Sequence, residues 1–256
     1  MCLIAFAWQT HPRWRLVLLA NRDEFHARPT APLARWDDAS GLVAGRDLQA
    51  GGTWLGACPG GRVATVTNVR DPGHGGEGAS RGLLVSDYLR SDEACRDWTA
   101  ALESRAATYR PFNLLCFDAE SACYVGNHPR GKRRTVEAGV HGLSNADFGT
   151  PWPKTQALMT HLQRWIDRDE DDVAPLWDAL ADPAEWPDAM LPDTGVGIER
   201  ERMLSAAFIR GRTYGTRAST LVRVARDGAV HIAERRFGPE GVFEGESALS
   251  LPSMRV

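Results

Sequence analysis

Two apolar runs open the chain, residues 2–8 (CLIAFAW) and 15–20, and in both the hydrophobic positions are consecutive rather than alternate. A strand buried on one face alternates, so unbroken apolar character predicts strands covered on both sides. The polar segment between them, QTHPRW, places Pro12 in a turn and predicts a hairpin. Further strands are predicted at 41–44, 53–57, 62–69, 112–117, 122–126 and 134–140, and TLVRVA and AVHIAERR flank Asp227-Gly228, a dipeptide suited to a tight hairpin. Helical periodicity marks 80–90, with Leu83, Leu84, Tyr88 and Leu89 on one face, then 92–107 behind an Asp cap, 152–168 and 172–181. Trp152 is expected to lead its helix from the core, with Pro153 in the first turn.

Strands, two helices, strands, two helices, strands is the resulting order. Such blocks predict an α+β fold of antiparallel sheets covered by helices rather than a βα alternation. No repeat and no long linker divides the chain, which reads as one domain over 1–256. The glycine-rich segment DPGHGGEGAS at 71–80 reads as a slack connection or a lid, and 183–201 as an irregular surface excursion.

Charge narrows the classes of function. With 30 basic against 33 acidic residues the formal charge is -3, and no basic stripe exists to follow a phosphate backbone, so no nucleic-acid partner is expected. No apolar run reaches the ~18 residues of a membrane span, and the opening run lacks the basic start and cleavage site of a secretory signal. The five cysteines, 2, 58, 95, 116 and 123, form no CxxC pair; they suit a reducing cytoplasm, and no metal site is expected.

Position 2 carries the candidate chemistry. Removal of Met1 would leave Cys2 with both a thiol of pKa about 8.5 and an α-amine near 7.7–8.0. An N-terminal residue of this kind can serve as nucleophile and base at once. If 2–8 and 15–20 pair as a hairpin, Asn21-Arg22-Asp23-Glu24 come beside it. Arg22 would then favour the thiolate, and Asp23 would hold the ammonium. Arg22 and Asp23 are adjacent and face opposite sides of a continuing strand, so both reach Cys2 only if the strand ends or bulges there. Buried free cysteines are otherwise ordinary small hydrophobes, which is the competing reading of Cys2.

MCLIAF, LLANRDEFHARPT, GRD, AGGTWLG, ATVTNVR, GLSNADFGTPWPKT and YGTRASTLV resemble, in this order, the landmarks of the NRDE family, also called the transport and Golgi organisation protein 2 family. That family resembles the N-terminal nucleophile hydrolases, which implies a four-layer αββα sandwich. Its likeness to the cysteine branch, the penicillin V acylases and bile salt hydrolases, implies a cysteine amidohydrolase-like protein acting on a small amide or thioester. Carried onto this sequence, Cys2 matches the nucleophile, Arg22 and Asp23 its supports, Asn145 and Asn68 the oxyanion donors, and Arg217 a late supporting arginine. Asn21, Glu24, Trp54 and His26 are expected to line the substrate side, Trp54 within GGTWLG either as pocket wall or as core.

No cofactor is required for this chemistry. The family's link to haem mobilisation implies the alternative, a non-catalytic carrier of haem or of a lipid or acyl compound in the same pocket. Cys58-Pro59 could then supply a thiolate to iron, or be a plain turn before Gly60-Gly61. His74, in the glycine-rich segment, could reach a ligand.

Overall fold

The computed structural model describes residues 2–73, 77–169 and 171–253, so His74 lies outside the described residues. Its strands in chain order are β1 (Cys2–Trp8), β2 (Trp14–Phe25), β3 (Thr30–Arg35), β4 (Val43–Asp47), β5 (Leu55–Cys58), β6 (Arg62–Asn68), β7 (Phe112–Phe117), β8 (Ala122–Gly126), β9 (Lys132–Thr135), β10 (Gly139–Leu143), β11 (Tyr214–Ala225), β12 (Val230–Phe237) and β13 (Phe243–Leu251). The helices are α1 (Gly82–Arg90), α2 (Cys95–Glu103), α3 (Pro153–Asp167), α4 (Ala174–Leu180) and α5 (Ile198–Met203). Six strands form one sheet in the order β10-β1-β2-β11-β12-β13, and seven form the other, β3 through β9 in sequence. Every pairing is antiparallel.

The unbroken apolar runs are explained by three cores in four layers. Along β1, Ile4, Phe6 and Trp8 point into the space between the sheets, where they meet Leu115 and Phe117 of β7. The alternate residues Leu3, Ala5 and Ala7 pack on the other face against Leu158, Leu162 and Trp165 of α3. Strand β7 is divided likewise, its Leu114 and Cys116 facing Leu84, Tyr88 and Trp98 of α1 and α2. Helix pair, sheet, sheet, helix pair is the αββα sandwich expected from the resemblance. Each large side chain buried this way contributes about 1.5–3 kcal/mol.

Several local expectations are corrected. Residues 134–140 are not one strand: β9 is an exposed edge of the seven-stranded sheet, and β10, after buried Val136, crosses to the edge of the six-stranded one. Helix α2 is shorter than 92–107 and takes no cap from Asp92; Asp118, from the β7–β8 turn, accepts its first N–H, that of Cys95, at 2.7 Å. The excursion 183–201 runs into α5, whose Glu201 is 3% exposed and ion-paired to Arg70 at 2.5 Å. Strands β3 and β13 were not foreseen. β13 alternates exposed and half-buried residues with too few apolar positions to stand out.

Candidate active site

Antiparallel pairing places Cys2 directly opposite Arg22, as the hairpin expectation required. Strand β2 does not end there; it continues to Phe25, and β11 pairs with its whole length. The register slips on the partner strand, between Thr216 and Ala218, so the bulge lies at Arg217 of β11 and not in the NRDE segment. Among the described residues β1 starts at Cys2, and β2 has no paired strand on that side beyond Arg22. A cavity of about 120 Å³ opens at this place, lined in part by Cys2, Arg22, Asp23, Glu24, Trp54 and Asn68.

Two faces of β2 divide the labour. Arg22, 6% exposed, lies on the side between the sheets, with its guanidinium carbon 4.3 Å from the centre of the Trp54 ring. Asp23, 1% exposed, accepts a 2.6 Å hydrogen bond from the Thr216 hydroxyl. Close behind is Lys154, 3% exposed, which donates to the Leu204 carbonyl at 2.8 Å. Burial lowers the Lys154 pKa to about 8, and the field of Asp23 opposes that fall. Burial raises the Cys2 thiol pKa, Asp23 adds to the rise, and Arg22 works against it. Cys2 itself is partly exposed, whereas Cys58, Cys95, Cys116 and Cys123 are buried.

The other predicted residues fall into three groups. Glu24 and Trp54 line the cavity with Cys2; Glu24 lies 3.9 Å from Arg28, which is anchored to Asp47 at 2.7 Å. Asn68 lines it too, and Asn145, 1% exposed, stands behind, giving its amide N–H groups to the Asn68 backbone and side-chain oxygens, each at 3.0 Å. Asn145 thus acts on the cavity through Asn68. The remaining three are elsewhere. Asn21 is 1% exposed on the helix-facing side, donating to the Leu180 and Ala207 carbonyls at 2.8 Å and accepting from Ser219. It ties the sheet to the chain around α4. His26 bonds the Gly211 carbonyl at 3.1 Å. Arg217 holds the 25–30 turn through the Arg28 carbonyl and borders a neighbouring cavity on the far side of Trp54.

GGTWLG serves both readings of it. A Cβ on Gly52 would sit 2.3 Å from the Gly82 carbonyl carbon, and the Thr53 N–H donates to the Gly82 carbonyl at 3.1 Å, so the loop meets the start of α1 backbone to backbone. Gly45 makes room for the Trp54 indole, which would come within 2.3 Å of any Cβ there. Trp54 is therefore wedged in place as the wall between two cavities.

Arg28, for which loop structure and ligand contact are equal expectations, lines the cavity, and sequence reasoning missed Arg81, Arg110 and Asp47 as lining residues. Arg28 and Asp47 sit inside the quoted segments HARPT and GRD, but Arg81 and Arg110 belong to no motif. The iron reading of Cys58 is weakened by its surroundings. It is buried with its pKa raised to about 11, and it donates to the Leu89 carbonyl at 3.3 Å ahead of a Pro59-Gly60-Gly61 turn. No cluster of three or more His, Cys, Asp or Glu suited to a metal occurs among the described residues. No helix among them is long and apolar enough to cross a membrane.

The fold resembles solved N-terminal nucleophile hydrolases. A Caenorhabditis elegans N-acylethanolamine-hydrolyzing acid amidase ortholog superposes with a TM-score of 0.52 at 12% identity, covering 86% of this chain and 92% of that one. A mutant of the conjugated bile acid hydrolase from Clostridium perfringens gives 0.53 at 8% identity, covering 97% and 92%. At such identities the likeness is one of fold. In sequence, the human Transport and Golgi organization protein 2 homolog is 33% identical over 256 residues, covering 92% of both chains, and the mouse homolog is 32% identical over 255 residues with the same coverage. The family model for Transport and Golgi organisation 2 matches residues 1–239, and the chain belongs to that family.

Proposed function

We propose that the protein is a cysteine amidohydrolase of the N-terminal nucleophile kind, acting on a small amide or thioester at Cys2. The observation that carries this reading is the register of Cys2 on Arg22 beside a cavity that Cys2, Arg22, Asp23 and Asn68 line together. With Met1 removed, the α-amine takes the thiol proton and the sulfur attacks the carbonyl carbon. The carbonyl oxygen becomes an oxyanion, for which Asn68 is the assigned donor: one of its amide N–H groups donates to the Val69 carbonyl at 3.2 Å, leaving the second, with its side-chain oxygen held by Asn145. Collapse breaks the C–N bond, and the departing amine takes the proton from the ammonium. Water then attacks the Cys2 thioester, releasing the acid and restoring the thiol. Arg22, on the thiol's face of β2, favours the thiolate; Asp23 faces the other side, and its route to the α-amine is past the start of β1, where it lines the same cavity.

The test pairs intact mass with turnover. Purified protein should lack Met1, hydrolyse members of an N-acyl amide and acyl thioester panel, and lose this activity on Cys2→Ala. Retention of Met1, or turnover that survives Cys2→Ala, would sink the reading. The carrier alternative, for haem or an acyl compound, would use the same cavity, where Cys2 is the side chain that could ligate iron among the described residues. Stoichiometric haem binding without turnover would favour it.

A further inference from the structure

Three arginines of the cavity, Arg22, Arg81 and Arg110, have no carboxylate within ion-pairing distance among the described residues, while its acids are engaged. Asp47 is paired to Arg28, Glu24 approaches the same guanidinium, and Asp23 is held by Thr216. Arg22 is more than nine-tenths buried, makes no hydrogen bond through its Nη1, and lines the cavity. A buried, uncompensated guanidinium is costly unless something completes it. Arg81 donates through Nε to the Pro111 carbonyl at 2.7 Å, which leaves its terminal nitrogens unengaged. Burial and then the neighbouring Arg110 make Arg81 a weaker base.

Backbone links hold Arg81 and Arg110 together against this repulsion. The Ala79 N–H donates to the Thr108 carbonyl at 2.9 Å, and the Arg110 N–H to the Ala79 carbonyl at 3.3 Å. A Cβ on Gly78 would lie 2.8 Å from the Arg110 nitrogen, so the two segments are in backbone contact. Two arginines on segments tied backbone to backbone, lining one cavity with a third that is buried, supply donors suited to an oxyanion.

We propose that Arg81 and Arg110, with Arg22 beneath them, bind the anionic end of the ligand, a carboxylate or phosphate carried at a distance from the group that meets Cys2. This rests on the cavity of the proposed hydrolase but needs no turnover.

Calorimetric titration of the Cys2→Ala protein tests it with three ligands of one acyl length: N-hexanoylglycine, N-hexanoylethanolamine O-phosphate and neutral N-hexanoylethanolamine. At least one anion should bind about 10-fold or more tightly than the neutral amide. Which anion does so tells carboxylate from phosphate. Arg110 is exposed, so Arg110→Glu should fold normally and abolish the preference, and Arg110→Lys should restore part of it. Equal affinity for the neutral ligand, no binding by any of the three, or a preference untouched by Arg110→Glu would overturn the proposal. Failure of the hydrolase reading would show separately, as absent turnover in the unmodified protein.

Discussion

Cys2 and Arg22 are cross-strand partners, and the guanidinium that faces the thiol is clamped on its other side by the Trp54 ring at 4.3 Å. The sulfur therefore sits beside a buried positive charge packed on an aromatic ring, with Glu24 and Asp47 acting on it through their fields and no carboxylate ion-paired to it among the described residues. Replacing Arg22 by Met keeps the packing on Trp54 and removes the charge. Arg22 lowers the thiol pKa, so its loss should move the inflection of the Cys2 alkylation profile to higher pH. A shift of about one unit would slow iodoacetamide labelling at neutral pH roughly 10-fold. An unmoved profile would show that the charge does not reach the sulfur.

Gly45→Ala should be destabilising although it adds a single methyl. That carbon would fall 2.3 Å from the Trp54 indole, and overpacking of this kind costs about 1–3 kcal/mol. Thermal unfolding measures the loss, and Cys2 labelling kinetics should change with it because Trp54 lines the cavity.

Arg70 and Glu201 form an ion pair that is 5% and 3% exposed, with Glu201 also accepting from the Thr194 N–H at 2.9 Å. Glu201→Gln should cost about 3–5 kcal/mol by stranding the guanidinium. Arg70→Met combined with Glu201→Leu should recover most of that, and a denaturant double-mutant cycle gives the comparison.

Glu234, 2% exposed, borders the cavity beyond Trp54 and accepts from the Leu33 N–H at 2.9 Å. Burial raises its pKa to about 7, with the Leu33 hydrogen bond, Arg236 and Arg22 opposing. The folded state then holds a proton that the unfolded chain releases near pH 4.3, so stability falls as pH rises from about 4.3 to 7. Glu234→Gln should match the parent at pH 4 and exceed it at pH 8 by on the order of 2 kcal/mol, read from melts at the two pH values. Equal stability at pH 8 would refute the assignment.

The fold was legible where burial is two-sided, because continuous apolar runs such as β1, β2 and β7 have few alternatives. Edge strands were not: β9 and β13 expose much of their length and carry ordinary surface residues. At the site, the Cys2–Arg22 pairing followed from a short hairpin, where turn position sets register. The place of Asn21 did not, since strand alternation turns it to the helix side beside residues that line the cavity. Arg81 and Arg110 lie 29 residues apart and meet only because Ala79 bridges to Tyr109, a contact between distant loops that no local pattern announces.

Where Gly52 meets Gly82, main chain rests on main chain, with the loop before Trp54 seated on the first residue of α1. The clearance of the cavity at that point is a property of two peptide planes: a side chain on Gly52 would force them apart, and one on Gly82 would meet the Thr53 oxygen at 3.0 Å. The frame of the cavity is thus set by main chain at this point, while its rim is set by side chains, Arg28, Arg81 and Arg110 among them.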